Sequence, residues 1–179
     1  INIGSYCFTD SKWIRSNIVD QMVITNNGIL VKYLSEDDTI KLPDTITSIA
    51  PNAFKYPDTI KTVTLPDSIT YIMSDAFHNC YNLESIQLGN NLIAIGDDAF
   101  NNCNNLRSIN FPDSLETIGN YAFAYCNRIE SIKLPNSVTT LGANAFRWCE
   151  SLRTVTLSTS MSTIENYTFR DCHNLESVW

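Results

Sequence analysis

Five of the six cysteines in this 179-residue chain, Cys80, Cys103, Cys126, Cys149 and Cys172, follow one another at intervals of 23 residues. A thiol can act as nucleophile, metal ligand or disulfide partner, and each role asks for its own spacing. Structural zinc sites and thioredoxin-type redox sites use close C-x-x-C pairs, and this chain has none. If the 23-residue interval is a structural repeat, the thiols lie one above another with parallel Cβ vectors, a poor geometry for disulfides. Five in a column also cannot all pair. Buried free thiols acting as small hydrophobes are the expectation, with a redox or metal ladder as the poorer alternative. The sixth cysteine, Cys7, stands outside the series. Such usage does not fix the redox compartment.

Other chemistry is sparse. The two histidines, His78 and His173, stand four repeats apart. Cys172 adjoins His173, but in the repeat register the thiol points inward and the imidazole outward, so they cannot form a hydrogen-bonded catalytic pair. No phosphate-cradling, dinucleotide-binding or H-E-x-x-H motif is present. Asp37-Asp38 and Asp97-Asp98 lack the alternating ligand spacing of a calcium loop. Asn166-Tyr167-Thr168 is a glycosylation sequon whose threonine falls at a core position, and it decides nothing. No catalytic residue, cofactor or metal is therefore expected, and the chain is not expected to be an enzyme. A net charge of −7, with no concentration of Lys or Arg, argues against nucleic acid. Asp10, Lys12, Arg15 and Asp20 interrupt the first residues, so no signal peptide is expected there, nor direct membrane insertion anywhere.

The element that positions all these residues is the repeat itself. From Leu42 to Trp179 the sequence recurs every 23 residues without insertion or deletion, in six coils: 42–64, 65–87, 88–110, 111–133, 134–156 and 157–179. A period of this length marks a solenoid, because one coil cannot bury its apolar face alone and must stack on its neighbours. Position 13 of each coil is Phe54, Phe77, Phe100, Phe123, Phe146 and Phe169, and position 12 is alanine until Thr168. Positions 8, 19 and 22 carry Ile, Leu or Val throughout, and the cysteines occupy position 16, where the first coil has Pro57. These inward columns predict a continuous core in which aromatic rings stack.

The segment Leu83 to Leu88 alternates inward and outward residues and predicts a short strand, repeated once per coil as a parallel sheet. Ile69 and Ile72 predict a second extended wall. The stretch Asp75–Cys80 predicts a helical turn or two. Proline at position 2 marks the exit from the sheet. Glycine at position 9 (Gly96, Gly119, Gly142) predicts a bend needing positive φ. Position 20 alternates in sign, Lys61, Glu84, Arg107, Glu130, Arg153, Glu176, and is read as a register-favouring ladder on a solvated edge.

With its L-x-S-I-x-LP-x-S-[IL]-x-x-IG-x-x-AF-x-x-C-x-N-L pattern, the array resembles the BspA-type leucine-rich repeat. Residues 23–33, with Asn27-Gly28 as the turn, are similar to the hairpin that often precedes such arrays. The resemblance implies an α/β-type right-handed coil stack with a parallel sheet on one face. It implies a capping segment over 1–41 with its hairpin at about 22–34. It also implies a cell-surface or secreted protein that binds host or extracellular-matrix proteins.

Two faces are candidates for binding. On the concave strip, positions 21 and 23 present small polar residues, among them Gln87, Asn110, Lys133 and Thr156. The irregular wall at positions 11, 15 and 17 carries aromatics: Tyr56, Tyr81, Tyr121, Tyr125, Trp148 and Tyr167. Tyr and Trp are enriched in binding sites, although several could merely cover the phenylalanine column. Tyr125 and Trp148, at the same position of neighbouring coils, are the favoured pair, for a protein or alternatively a glycan. A structural spacer is the other alternative. Ending inside a strand, the last coil is expected to leave an apolar face open to further coils, a partner or end-to-end self-association.

Overall fold

The computed structural model describes residues 18–54 and 59–179. Cys7, Asp10, Lys12, Arg15, Tyr56 and Pro57 lie outside the described residues. Within them run β1 (Ile18–Val19), β2 (Met22–Ile24), β3 (Ile29–Tyr33), β4 (Thr39–Lys41), β5 (Ser48–Ile49), β6 (Thr62–Thr64) and β7 (Tyr71–Ile72). They are followed by β8 (Ser85–Gln87), β9 (Ala94–Ile95), β10 (Thr117–Ile118), β11 (Ser131–Lys133), β12 (Thr140–Leu141), β13 (Thr154–Thr156) and β14 (Ser177–Val178).

Each coil contributes to three walls. In the first, the L-x-S-I-x-L segments pair in parallel as two three-stranded sheets, β4-β6-β8 and β11-β13-β14. The register steps by one repeat, Thr39↔Thr62↔Ser85 in one sheet and Ser131↔Thr154↔Ser177 in the other. Central residues such as Ile40, Val63, Ile132 and Val155 are buried while their neighbours face solvent or lie half-buried, the period-2 alternation of a one-sided sheet. The coil pattern thus already holds at Thr39–Lys41, ahead of Leu42. The second wall is an eight-stranded sheet, β1-β2-β3-β5-β7-β9-β10-β12, parallel from β3 onward. It begins with the antiparallel β2–β3 hairpin, whose turn places Gly28 at φ 75°.

The third wall departs from expectation. The described residues form no helix, so the helical part of the α/β-type reading has no counterpart among them. The hydrogen bonds explain why. In the second coil, the N–H groups of Ala76, His78 and Cys80 turn back to Met73, Asp75 and Phe77 within the coil. Those of Asp75, Phe77 and Asn79 instead donate to Asp97, Ala99 and Asn101 of the next coil, at 2.8–2.9 Å. A helix would keep all of these donors inside the segment. Here every second donor leaves it, so the wall is a stack of turns bonded coil to coil.

The phenylalanines form a continuous stack in the core. Successive ring centroids from Phe54 to Phe169 are 4.4, 5.0, 5.1, 5.3 and 5.8 Å apart, with planes within 7°. Tyr33 of the hairpin extends the column, its ring 5.2 Å from that of Phe54 and its N–H donating to Ala53 O as a coil phenylalanine would. Beside the rings runs a thiol ladder. Each cysteine Sγ donates to the carbonyl oxygen of the phenylalanine one coil back, from Cys80 to Phe54 at 3.0 Å through Cys172 to Phe146 at 3.0 Å. All five are buried and free. Burial pushes the thiol pKa of Cys103, Cys126 and Cys149 well up, and that of the less enclosed Cys172 to about 11.

The position-9 glycines are needed for a different reason from the one expected. Among glycines, positive φ occurs at Gly28 but not at Gly96, Gly119 or Gly142. A Cβ on Gly119 would sit 2.5 Å from the backbone nitrogen of Asp97 and 2.6 Å from the carbonyl carbon of Gly96. Close approach between coils, not a left-handed bend, excludes a side chain there.

Two outcomes are expected. Phe100→Ala should lower stability by about 3–5 kcal/mol, read as a shift of the urea midpoint, because the ring is fully buried between two stacked neighbours. The thiols also set an alkaline limit. The folded pKa values of Cys103, Cys126, Cys149 and Cys172 are raised, so their contribution is complete below the unfolded value of 9.0 and is lost as pH rises through the folded ones. Thermal stability should therefore fall between pH 9 and 11, where Cys172 titrates, and less steeply in Cys172→Ala.

Candidate binding face

On the turn wall, positions 11 and 15 of the coils are left-handed. Position 11 is Asn52, Asp75, Asp98, Tyr121, Asn144 and Tyr167, with φ between 53° and 62°; position 15 is Asn79, Asn102, Tyr125, Trp148 and Asp171, with φ between 59° and 64°. Asn and Asp are the non-glycine residues that tolerate this region best, and they fill most of these places. Tyr121, Tyr125, Trp148 and Tyr167 do not belong to that group. A bulky aromatic held at positive φ costs on the order of 1–3 kcal/mol.

Those side chains gather on the C-terminal half of the wall. The rings of Tyr125 and Trp148 stack with centroids 6.2 Å apart and planes 6° from parallel. His173 meets the Trp148 ring edge-on at 5.8 Å. Tyr167, 60% exposed, lies under the Arg170 guanidinium at 5.0 Å. Arg170 and Arg147 approach the same Asp171 carboxylate, at 3.3 and 3.7 Å. Between Tyr121 and Tyr167 in the position-11 column stands Asn144, buried, with no hydrogen-bond partner for its Oδ1. Tyr121 and Tyr125 are exposed, Trp148 half-buried. Tyr81 is exposed too but belongs to the second coil, away from this group. The structure thus brings Tyr125, Trp148 and His173 together, with Tyr121 and Tyr167 in the neighbouring column. Arg147, Arg170 and Asp171 were not singled out from sequence. Their signal was the 23-residue register itself, which sets Arg147 one repeat before Arg170.

The concave strip offers less. Gln87, Asn110, Lys133 and Thr156 all face solvent. The position-20 charges pair at two of the five steps, Arg107 with Glu84 at 3.8 Å and Arg153 with Glu176 at 3.0 Å. Asp38 extends the series to Lys61 at 3.3 Å, and this bond holds the Asp38 carboxyl below its usual range. All are exposed and contribute little stability. His78 bonds to Asp75 at 2.9 Å, and the thiol of Cys80, two residues on, is buried and donates to the Phe54 carbonyl oxygen. Asp98 is half-buried and its pKa is raised by that burial, with Asn101 bonded to it at 2.6 Å. Among the described residues no group of His, Cys, Asp and Glu is placed to hold a metal ion, and no helix is long and apolar enough to cross a membrane. In the last coil, Ile164, Val178 and Trp179 are exposed.

The comparisons with known proteins agree with this architecture. The family described as "BspA type Leucine rich repeat region (6 copies)" matches residues 1–83, 32–153 and 93–179. The chain is similar to the leucine rich repeat protein of T. pallidum, at 32% identity and a TM-score of 0.83 over 88% of this chain and 79% of that one. A leucine-rich repeat protein from Bacteroides ovatus is 30% identical with a TM-score of 0.80, covering 90% of this chain and 46% of the other. A leucine rich cell surface protein from Faecalibacterium prausnitzii shares the fold at 21% identity and a TM-score of 0.72, with 90% of this chain and 53% of that one covered. The chain therefore spans most of the first of these and about half of the other two. No curated protein matches it. By its repeat pattern, the three overlapping family matches along its length and these structural likenesses, the chain belongs to the BspA-type leucine-rich repeat family.

Proposed function

We propose that this protein is a non-enzymatic recognition module of a cell-surface or secreted protein, and that it binds a host or extracellular-matrix protein through the turn wall around Tyr125 and Trp148. The observation that carries this reading is the stacked, solvent-facing aromatic pair built on two left-handed positions where the preceding coils place Asn79 and Asn102. Ring stacking one coil apart is not needed to hold the coils, since the phenylalanine column already does so. An aromatic at a strained backbone is better accounted for by what it touches outside the fold. The arginines and Asp171 beside it give the apolar centre a polar rim, the arrangement of a protein-binding hot spot. Family membership and the cell-surface relative from Faecalibacterium prausnitzii support the proposed location. A solenoid face of this kind is preformed, so little ordering entropy opposes association.

The substitution that tests the site is the chain's own alternative, Tyr125→Asn with Trp148→Asn. Relief of the left-handed strain should leave the melting temperature unchanged or raise it by a few degrees. Capture of extracellular-matrix proteins and of surface extracts should be lost. Retention of a partner by the double variant would move the site to the concave strip. No partner for the well-folded wild type would favour a spacer, with the exposed Ile164, Val178 and Trp179 then tested for end-to-end association by light scattering.

A further inference from the structure

The first-wall sheet is interrupted on both sides of the segment 108–110. Leu42, Leu65, Leu134 and Leu157 each donate a backbone N–H to the carbonyl at position 23 of its own coil, at 2.8–3.1 Å. Among the described residues the corresponding bonds from Leu88 to Asn110 and from Phe111 to Lys133 are missing. A single bridge, Ser85↔Ser108, joins β8 to the segment 108–110, none joins that segment to β11, and the sheet divides here into its two halves. Beyond the bridge the strands part around a cleft of about 480 Å³, lined by Ile86, Gln87, Leu88, Asn90, Asn110 and Phe111, with Pro112 at its edge.

The third and fourth coils open here because their sequences differ from the rest. Position 2 of the third coil is Gly89, where the first, second, fourth and fifth coils have proline. A Cβ on Gly89 would lie 2.2 Å from the Pro66 carbonyl oxygen, so the missing side chain lets this turn close onto the second coil. Asn90 N–H donates to Asp67 Oδ1 at 2.7 Å and Asn91 Nδ2 to the Asp67 carbonyl at 3.0 Å, holding it there. On the far side, position 1 is Phe111 instead of leucine. Its ring turns edge-on to Phe123, at 5.6 Å and 72°, and stays half-buried against the cleft.

From this geometry we infer that the cleft between the third and fourth coils is a binding site for a neutral sugar of one or two rings. The volume falls in the range of small-ligand sites. No lining residue carries a charge, which disfavours phosphate, carboxylate or ammonium ligands. Gln87 and Asn110 supply two carboxamides, each offering donor and acceptor, the capacity needed to hold neighbouring hydroxyls that are themselves both, while the Asn90 amide nitrogen already donates to Asp67 Oδ2 at 3.4 Å. The half-buried Phe111 supplies the apolar surface on which the C–H face of a sugar ring packs. The backbone donors freed at Leu88 and Phe111 add polar contacts. An inserted peptide strand does not fit: it would need the flanking strands about twice the usual ~4.8 Å apart, and they still pair at Ser85–Ser108.

The site is separate from the Tyr125–Trp148 face, and its test is separate as well. Galactose, glucose, N-acetylglucosamine and their disaccharides are titrated at millimolar concentrations into ¹⁵N-labelled protein, with amide shifts as the readout. Saturable shifts centred on Gln87–Pro112 are expected for at least one of them. Gln87→Ala/Asn110→Ala, and separately Phe111→Leu, should each weaken that binding by about tenfold or more, with melting temperatures near wild type. Tyr125→Asn/Trp148→Asn should leave it unchanged. Absence of shifts with every sugar, shifts that persist in the folded cleft variants, or preferential shifts by an unstructured peptide at this cleft would each overturn the inference.

Discussion

Everything in this molecule depends on the hydrogen bonds that pass between coils. No coil satisfies its own backbone: strands are two or three residues long in the array, and the turn segments send every second N–H to the next coil. A buried backbone donor without a partner is costly, so each coil requires a neighbour whose acceptors stand at the same height and spacing. This requirement explains the unbroken 23-residue period better than core packing does. A hydrophobic core tolerates a change of volume, whereas a ladder shared by three walls does not tolerate one inserted residue.

The same constraint decides which residue types go where. Glycine at position 9 is set by the backbone of the preceding coil, cysteine at position 16 by a carbonyl within reach of its sulfur, and Asn or Asp at positions 11 and 15 by left-handed φ. With these places committed, variation has little room. It is found at the exposed strip, at the left-handed positions where an aromatic is accepted at some cost, and at the junction where Gly89 and Phe111 replace the usual Pro and Leu. The places where the repeat rule is broken are those where function is sought.

How much of this was legible depended on whether a residue's role showed up as a column. The phenylalanine stack, the buried cysteines and the two extended walls repeat in identical positions, so periodicity alone displays them. The helical turns expected around Asp75–Cys80 were not found, because apolar spacing does not reveal whether an amide bonds within its segment or to the next coil. Gly119 was assigned a positive φ for a similar reason, since a missing side chain looks alike in sequence whether it serves a bend or a close contact. The left-handed positions were visible in principle as columns of Asn and Asp, but the aromatics within them masked the pattern. Tyr33 was hidden altogether: it serves the phenylalanine column from outside the repeat and shares no register with it.

The one-way bonding of the turn wall has a further consequence. In the second to fifth coils, three amides per coil point toward the C-terminal neighbour and the carbonyls that receive them point back. The peptide dipoles of that wall therefore add along the solenoid axis, as they do along a helix, though here the chain runs across the axis instead of along it. The stack has a polarity that belongs to no single coil. One end of the wall offers acceptors and the other donors, so a coil or a second molecule can join this wall in only one orientation.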